Sequence, residues 1–375
     1  AEDGIRDHCV TGVQTCALPI CVMDQAGKIL CNRSQESLLP DVISTIEPLG
    51  EVQRVAIEAC SGAADFGDHL NRAVGWKVSL AHAGIVSRMR SSVDKSDNSD
   101  ARVLADLCRT NFLPEVWLPP QDIREMRALV MRRHQRTEAI QQCKLRIRAF
   151  LRDKRLTCPS ETGRPWTISY MMWLRHLTLP PMLRLVLDDL LDEHESFKRS
   201  RDALDRMLKT LAERDDHIQR LMLIKGVGLV TACVLRAIIG RFDRFRNAKQ
   251  FSRYCGLTPR NASSGERVAD AGIVRAGSPV LKTMLIQVAH RVARYDERWR
   301  QAFLGMVERG KPSCVAIVAV ANRWCRSTWH ELKLFEQELD RRRTLTGKEQ
   351  KPRSEEHTSE LQSHSDLVCR LLLEK

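Results

Sequence analysis

The chain has no run of the roughly 18 uninterrupted apolar residues that a membrane-crossing helix needs, and it does not start with a basic segment leading into an apolar core. Both absences point to a cytoplasmic protein. There is also no Cys-x-x-Cys pair. The 13 cysteines are odd in number and scattered, so they support neither a zinc knuckle nor a disulfide framework and fit reduced, core-compatible thiols. Carboxylates are the scarcer charge, 47 Asp and Glu against 60 Lys and Arg. The net charge of +13 is spread along the chain rather than confined to a tail, which favours a polyanionic partner such as nucleic acid. With 375 residues there is sequence enough for two or three domains with their own cores.

Residues 1–20 show neither helix nor strand period, and both they and residues 353–375 resemble translated sequencing-adapter read-through. They are set aside as foreign segments. Both are net acidic, so the interior is more basic than the whole.

That interior opens as an α/β unit. Cys21-Val22-Met23-Asp24 and Lys28-Ile29-Leu30-Cys31 read as strand ends about the turn at Gln25-Ala26-Gly27. A helix near 36–48, a strand over 52–57, a helix near 64–74 and a strand over 76–81 follow, an alternation that predicts a layered sheet with covering helices. Glu58 then stands at the C-terminal end of a strand, where open α/β sheets place their chemistry.

Asp97 and Asp100 precede the helical run Ala101-Arg102-Val103-Leu104. Their spacing of three puts both carboxylates on one side of a first turn. Two readings are open. Asp97 as an N-cap with Asp100 as its capping-box partner satisfies backbone N–H groups and complements the helix dipole. Alternatively, Glu58, Asp97 and Asp100 supply oxygen ligands of the kind that suit magnesium or manganese, which in a basic chain suggests phosphodiester chemistry.

Residues 122–155 are helix-forming and rich in cations, among them Arg124, Arg127, Arg132, Arg133, Arg136, Lys144, Arg146 and Arg148. Such a face tracks a phosphate backbone or is simply solvated. After a Pro- and Gly-bearing break at 157–166, a second long helix begins near Pro181. Its heptad seam runs Leu183, Leu187, Leu190, His194, Phe197, Arg201, Leu204, Leu208 and Leu211, predicting a coiled coil or helical hairpin within or between subunits, with His194 and Arg201 setting register.

Lys225-Gly226-Val227-Gly228 precedes an apolar helix from Leu229 to Ile239 and resembles the turn of a helix-hairpin-helix motif. There, glycines admit a phosphate close to the backbone and the helix start offers N–H donors; an ordinary interhelical turn has the same composition. Tyr254 to Arg267 reads as a loop, with Arg260, Arg267, Arg275 and Lys282 around Ser263 and Ser264. A serine so placed attacks a phosphodiester while guanidinium groups stabilise developing charge, or it is turn chemistry alone.

Taken in order, Ile57-Glu58-Ala59, Lys95-Ser96-Asp97-Asn98-Ser99-Asp100-Ala101-Arg102, a long helical middle, Lys225-Gly226-Val227-Gly228 and Gly256-Leu257-Thr258-Pro259-Arg260 with Ser263-Ser264-Gly265 resemble the DEDD-type insertion-sequence transposases of the IS110 family. The resemblance spans about residues 21–340 and implies an α/β plus all-α chain. An RNase H-like, RuvC-type domain is expected over 21–120, a coiled-coil middle over 121–215, and a helical transposase domain with a helix-hairpin-helix over 216–340.

The resemblance further implies a DNA recombinase acting as a homo-oligomer, guided by a structured bridge RNA. Glu58, Asp97 and Asp100 become three of four Mg2+ (or Mn2+) ligands, and Ser264 the nucleophile of a covalent phosphoserine link, with Ser263 the residue if the register slips by one. Lys225, Gly226, Gly228, Arg260, Arg267, Arg275 and Lys282 become nucleic-acid contacts. The family's first acid falls near Val10, inside the foreign segment, so the expected domain lacks its first strand. An exposed sheet edge, weak metal binding and impaired catalysis are then expected. The alternatives are a RuvC-like metal-dependent junction nuclease and a catalytically inactive nucleic-acid-binding remnant.

Overall fold

The computed structural model describes residues 17–89, 97–261, 270–274, 277–349 and 367–371. The chain forms two compact units, Ala1–Gln121 together with Ser354–Lys375, and Asp122–Arg353. In the first, β1 (Ala17–Asp24), β2 (Ile29–Glu36), α1 (Leu39–Ile46), β3 (Val52–Glu58), α2 (Ala63–Val74), β4 (Val78–Ala81), α3 (Ala83–Met89), α4 (Asp97–Arg109) and β5 (Glu115–Val116) follow one another. The second holds α5 (Gln121–Asp153), α6 (Ile168–His176), α7 (Pro181–Ala212), α8 (Asp216–Met222), α9 (Leu229–Ile239) and α10 (Ala248–Tyr254). It continues through β6 (Pro259–Asn261), β7 (Asp270–Ile273), α11 (Pro279–Tyr295), α12 (Glu297–Glu308) and α13 (Ser313–Glu349). The chain then returns to the first unit as β8 (Leu367–Leu371).

The first unit is a sheet of order β2-β1-β8-β3-β4-β5 with helices on both faces. The period-two alternation of its strands explains the layering. Leu18, Ile20 and Val22 of β1 and Val55 and Ile57 of β3 face α1 and α2 through Val42, Ile46 and Leu70. The intervening residues face the other way: Cys21 and Met23 meet Ala101 and Ala105 of α4, and Ala56 and Ala81 meet Leu104 and Cys108. The small residues in these contacts let α4 lie close to the sheet. The hairpin predicted about Gly27 is present, with Gly27 at φ +88° and Gly27 N donating to Asp24 O.

Two expectations are corrected here. The foreign N-terminal segment was drawn to residue 20, but β1 begins at Ala17 and its Leu18 and Ile20 are core residues. The sheet was expected to lack a strand and expose an edge, and the C-terminal segment to contribute nothing. Instead β8 runs between β1 and β3, antiparallel to the first (Cys21 opposite Arg370) and parallel to the second (Ala56 opposite Arg370), so both strands are laddered on that side. An unpaired strand edge carries a row of unsatisfied N–H and C=O groups, and any extended segment of suitable length relieves that cost.

In the second unit the two long helices pair with each other in one chain. Arg133 Nε donates to Asp205 Oδ1 (2.8 Å) and Arg146 Nη1 to Glu193 Oε2 (3.1 Å), a pairing in opposite sequence directions that makes α5 and α7 an antiparallel hairpin. The α7 seam buries Leu187, His194 and Leu208 as the heptad predicts, with Leu191 and Ala212 added. Ile147 and Leu151 of α5 pack on Leu187 and Leu191, while Met126, Val130, Leu208 and Ala212 join the core made by α8 to α13. The boundary expected at residue 215 therefore falls within one core rather than between two. The described cysteines are free thiols. Among the described residues no helix is long and apolar enough to cross a membrane.

Candidate functional site

Strand periodicity aims Glu58. Arg54, Ala56 and Glu58 share one face of β3; Ala56 packs on Leu104 of α4, and Arg54 donates to Asn111 just past the end of α4. α4 thus runs opposite to β3, which brings Glu58, at the strand's C-terminal end, to the end of the sheet where α4 begins. Glu58 itself is laddered against Ala81 at the end of β4.

The helix starts at Asp97, so Asp97 and Asp100 both lie in its first turn, where their charge complements the N–H end of the helix. Ser96 lies outside the described residues. Asp97 is exposed, whereas Asp100 is 5% exposed. A carboxylate that only complements a dipole gains nothing from burial, which costs hydration unless it is repaid by partners. The three acids share one face and one end of the sheet. They do not fit a metal site as they stand: among the described residues no three His, Cys, Asp or Glu side chains are grouped so that they could hold an ion. A polar cleft of about 820 Å³ in the same unit, lined by Arg54, Lys77, Ser79, Arg109 and Glu115 among others, lies at the opposite end, where β3 and β4 begin.

In the second unit the predicted glycine turn joins α8 to α9. Gly226 has φ +85°, and a Cβ there would stand 2.8 Å from Cγ1 of Val292 on α11. The backbone conformation and a neighbouring helix thus both require glycine here, as the interhelical-turn reading expects. Gly228 caps α9, and its carbonyl accepts from Ala232 N (2.9 Å). Lys225 is exposed and pairs with Asp296 at 3.4 Å. Lys225, Gly226 and Asp296 line, with Arg291, Val292 and Tyr295, a pocket of about 290 Å³. Arg291 escaped the sequence reading; its signal is its position one residue before Val292 on α11, whose buried stripe includes Val288, Ala289 and Val292.

The loop expected over 254–267 has a structured stem. β6 and β7 form an antiparallel ribbon, Pro259 opposite Ile273 and Asn261 opposite Asp270, and the segment joining them carries Ser263, Ser264 and Arg267. Those three residues and Arg275 lie outside the described residues. The base of the ribbon is tied down on several sides. Val274 N donates to Thr258 O (3.0 Å), and Asn322 Nδ2 of α13 to Leu257 O (3.0 Å). Lys282 Nζ donates to Val274 O (3.1 Å), so this expected nucleic-acid contact also holds the ribbon. Gly277, at φ +88°, lets the chain between β7 and α11 pass close to α10, because a Cβ there would stand only 2.3 Å from Tyr254 O. Arg260 is exposed on β6.

The basic chain thus combines an α/β unit bearing carboxylates with a helical unit bearing an anchored β-ribbon. Residues 17–155 match the transposase family DEDD_Tnp_IS110, and residues 218–304 the family described as Transposase IS116/IS110/IS902. The chain belongs to the IS110 family of insertion-sequence transposases. It is 26% identical over 82% of its length to the "Probable family 20 transposase" of Pseudomonas aeruginosa, covering 91% of that protein. It is 26% identical over 83% of its length to the "Transposase for insertion sequence element IS1111A" of Coxiella burnetii, covering 85% of it. It is 25% identical over 82% to the "Transposase for insertion sequence element IS1328" of Yersinia enterocolitica, covering 91%.

Proposed function

We propose that this transposase exchanges DNA strands through a covalent serine intermediate, with Ser264 as nucleophile, Ser263 as its neighbour in the same loop, and a structured RNA selecting the DNA. The observation that supports it is the β6–β7 ribbon, a short stem held on α11 and α13 whose connecting sequence contains the serine pair and Arg267. In the step proposed, a bond forms from Ser264 Oγ to the phosphorus of a backbone phosphodiester and one P–O bond of the DNA breaks. The serine proton passes to the departing oxygen. One phosphodiester replaces another, so no external energy source is needed, and rejoining is the reverse attack by a second strand's hydroxyl. Arg260, Arg267 and Arg275 are proposed to stabilise charge on the phosphorane oxygens.

Glu58, Asp97 and Asp100 are proposed to take part in the DNA chemistry of the first unit. Among the described residues they form no group able to hold an ion. β8, whose sequence Leu-Val-Cys-Arg-Leu contains no acid, brings no carboxylate to the sheet beside β3. That supports a chain with impaired activity.

The test is incubation of the protein with insertion-sequence end DNA, candidate RNA and Mg2+, followed by denaturing electrophoresis. A protein–DNA adduct that is lost in Ser264→Ala is expected. An adduct persisting in both Ser264→Ala and Ser263→Ala refutes the nucleophile, and cleavage without any adduct favours a nuclease that uses the acids alone.

A further inference from the structure

Midway along the α5–α7 hairpin the packing leaves donors without protein acceptors beneath a ring of cations. Lys144 and Arg148 are four residues apart on α5, and His194 and Lys198 four apart on α7, so each pair shares a helix face. Between them sits Trp166, whose ring stacks on His194 (centroids 5.7 Å, interplanar angle 28°). Lys144 Nζ stands 5.0 Å and Arg148 Cζ 5.6 Å from the same ring centre. Trp166 holds φ +72°, a backbone conformation that a bulky residue adopts only where its surroundings fix it.

His194 is 6% exposed, and neither ring nitrogen has a protein hydrogen-bond partner; the buried Nε1 of Trp166 has none either. Buried polar groups are almost always satisfied, and an indole N–H can only donate. The neighbouring acids are engaged elsewhere. Glu193 holds Arg146, Glu195 holds Arg175, and Asp202 and Asp205 hold Arg201. Among the described residues no carboxylate pairs with Lys144, Arg148 or Lys198. Burial, then the charges of Arg201, Arg148 and Lys198, lower the pKa of Lys144, a sign of positive charge left uncompensated.

We infer that Trp166, His194, Lys144, Arg148 and Lys198 form a binding site for the phosphodiester backbone of a nucleic acid. The three cations supply the charge at the surface, and the indole and imidazole N–H groups, buried in the free protein, donate to the anionic oxygens once Trp166 and His194 turn outward on binding. This rests on the nucleic-acid function proposed above and deepens it by giving the hairpin a specific contact. DNA and RNA share the chemistry, so the experiment separates them.

Binding of the full chain to a labelled DNA duplex and to a labelled stem-loop RNA is measured across a salt series. In the Lys144→Gln/Lys198→Gln/Arg148→Gln variant the salt dependence should fall by roughly two to three phosphate contacts, with about tenfold or greater loss of affinity at moderate salt. The probe that loses binding identifies the ligand. An equal-charge control, Lys209→Gln/Lys249→Gln/Lys311→Gln, should change the slope little. His194→Phe and Trp166→Phe should weaken binding several-fold with the slope retained, since they remove donors and not charge. Wild-type slope in the first variant, or the same change in the control, overturns the site and leaves the recombinase reading intact. Absence of binding by the wild-type chain to either probe overturns the site and the nucleic-acid reading together, while the Ser264 adduct assay still tests the chemistry separately.

Discussion

His217 Nε2 stands 3.5 Å from Oε1 of Glu336, and the Nδ1 of the same ring stands 3.6 Å from Asp215 Oδ1, so one buried imidazole bridges two carboxylates. Glu336 lies on α13 and is 1% exposed; it accepts from the backbone N–H groups of Phe242 and Asp243 (2.9 Å each). Asp215 caps α8, accepts from His217 N and Ile218 N, and pairs with Arg236 of α9 at 2.8 Å. One polar network therefore joins α8, α9, α13 and the segment after α9 inside an apolar core.

Glu336→Ala should destabilise the protein by about 3 kcal/mol or more, because it leaves two backbone donors and an imidazole without their acceptor. Glu336→Gln keeps one acceptor oxygen and should cost less. Urea unfolding midpoints measure both; an alanine variant as stable as wild type removes the network from the list of stabilising contacts.

The pH dependence at Asp215 has a definite sign. Burial opposes its ionisation, but the His217 hydrogen bond, the Arg236 charge and the Ile218 N–H outweigh burial and hold its carboxyl well below the ordinary value of 3.8. A depressed carboxyl contributes stability above the unfolded value that is lost as pH falls through the folded one. The stability gap between wild type and Asp215→Asn should be full at pH 7 and narrower at pH 3, which paired unfolding curves will show. A gap that widens on acidification contradicts the assignment.

Gly226→Ala should cost about 1–3 kcal/mol through its positive φ, with further loss from the close approach of Val292. Trimming the neighbour with Val292→Ala should recover only the second part. Thermal melts of the single and double variants separate the two, and full recovery would show that the backbone conformation carries no cost.

Thiol reactivity should follow burial. Desolvation pushes the thiol of Cys108 up to about 11 and that of Cys233 up to about 12, whereas Cys314 is exposed. Brief alkylation of the native protein at pH 8, read peptide by peptide by mass spectrometry, should modify Cys314 and spare Cys108 and Cys233. Equal labelling of all three would mean that the core opens on the labelling timescale.

The carboxylates separate a catalytic role from a structural one. Asp97→Asn, at an exposed position, should leave the melting temperature within about 2 °C of wild type. If it also leaves DNA cleavage unchanged, Asp97 is only a helix-start acid.

The elements with a strong local period were legible in the sequence: the β/α alternation from Met23 to Ala81, the basic helix α5, and the α7 seam through Leu187, His194 and Leu208. Glu58 was legible as a strand-end acid because strand alternation fixes its face. What escaped depends on contacts distant in sequence. Nothing around Leu367 announces that it will meet Val52, since a five-residue apolar segment becomes a strand only when an open ladder receives it. Glu336 was not singled out, although its place four residues after Leu332 and seven after Trp329 puts it on the buried stripe of α13. The reason for Gly226 lay in Val292, 66 positions away. The serine loop was legible as a loop by composition, but its stem rests on Asn322 and Lys282, which no local pattern marks.

The position of β8 bears on how the molecule is made. Its partner Ile57 precedes Leu371 by more than three hundred residues, and the whole of Asp122–Arg353 lies between them in the chain. During synthesis the helical unit emerges complete while the sheet still waits for its central ladder, and closure of that ladder is a late event of very high contact order. Until then β1 and β3 present open ladder edges on the nascent chain, so premature release or dilution from denaturant should leave the N-terminal unit, and not the helical one, as the source of aggregates.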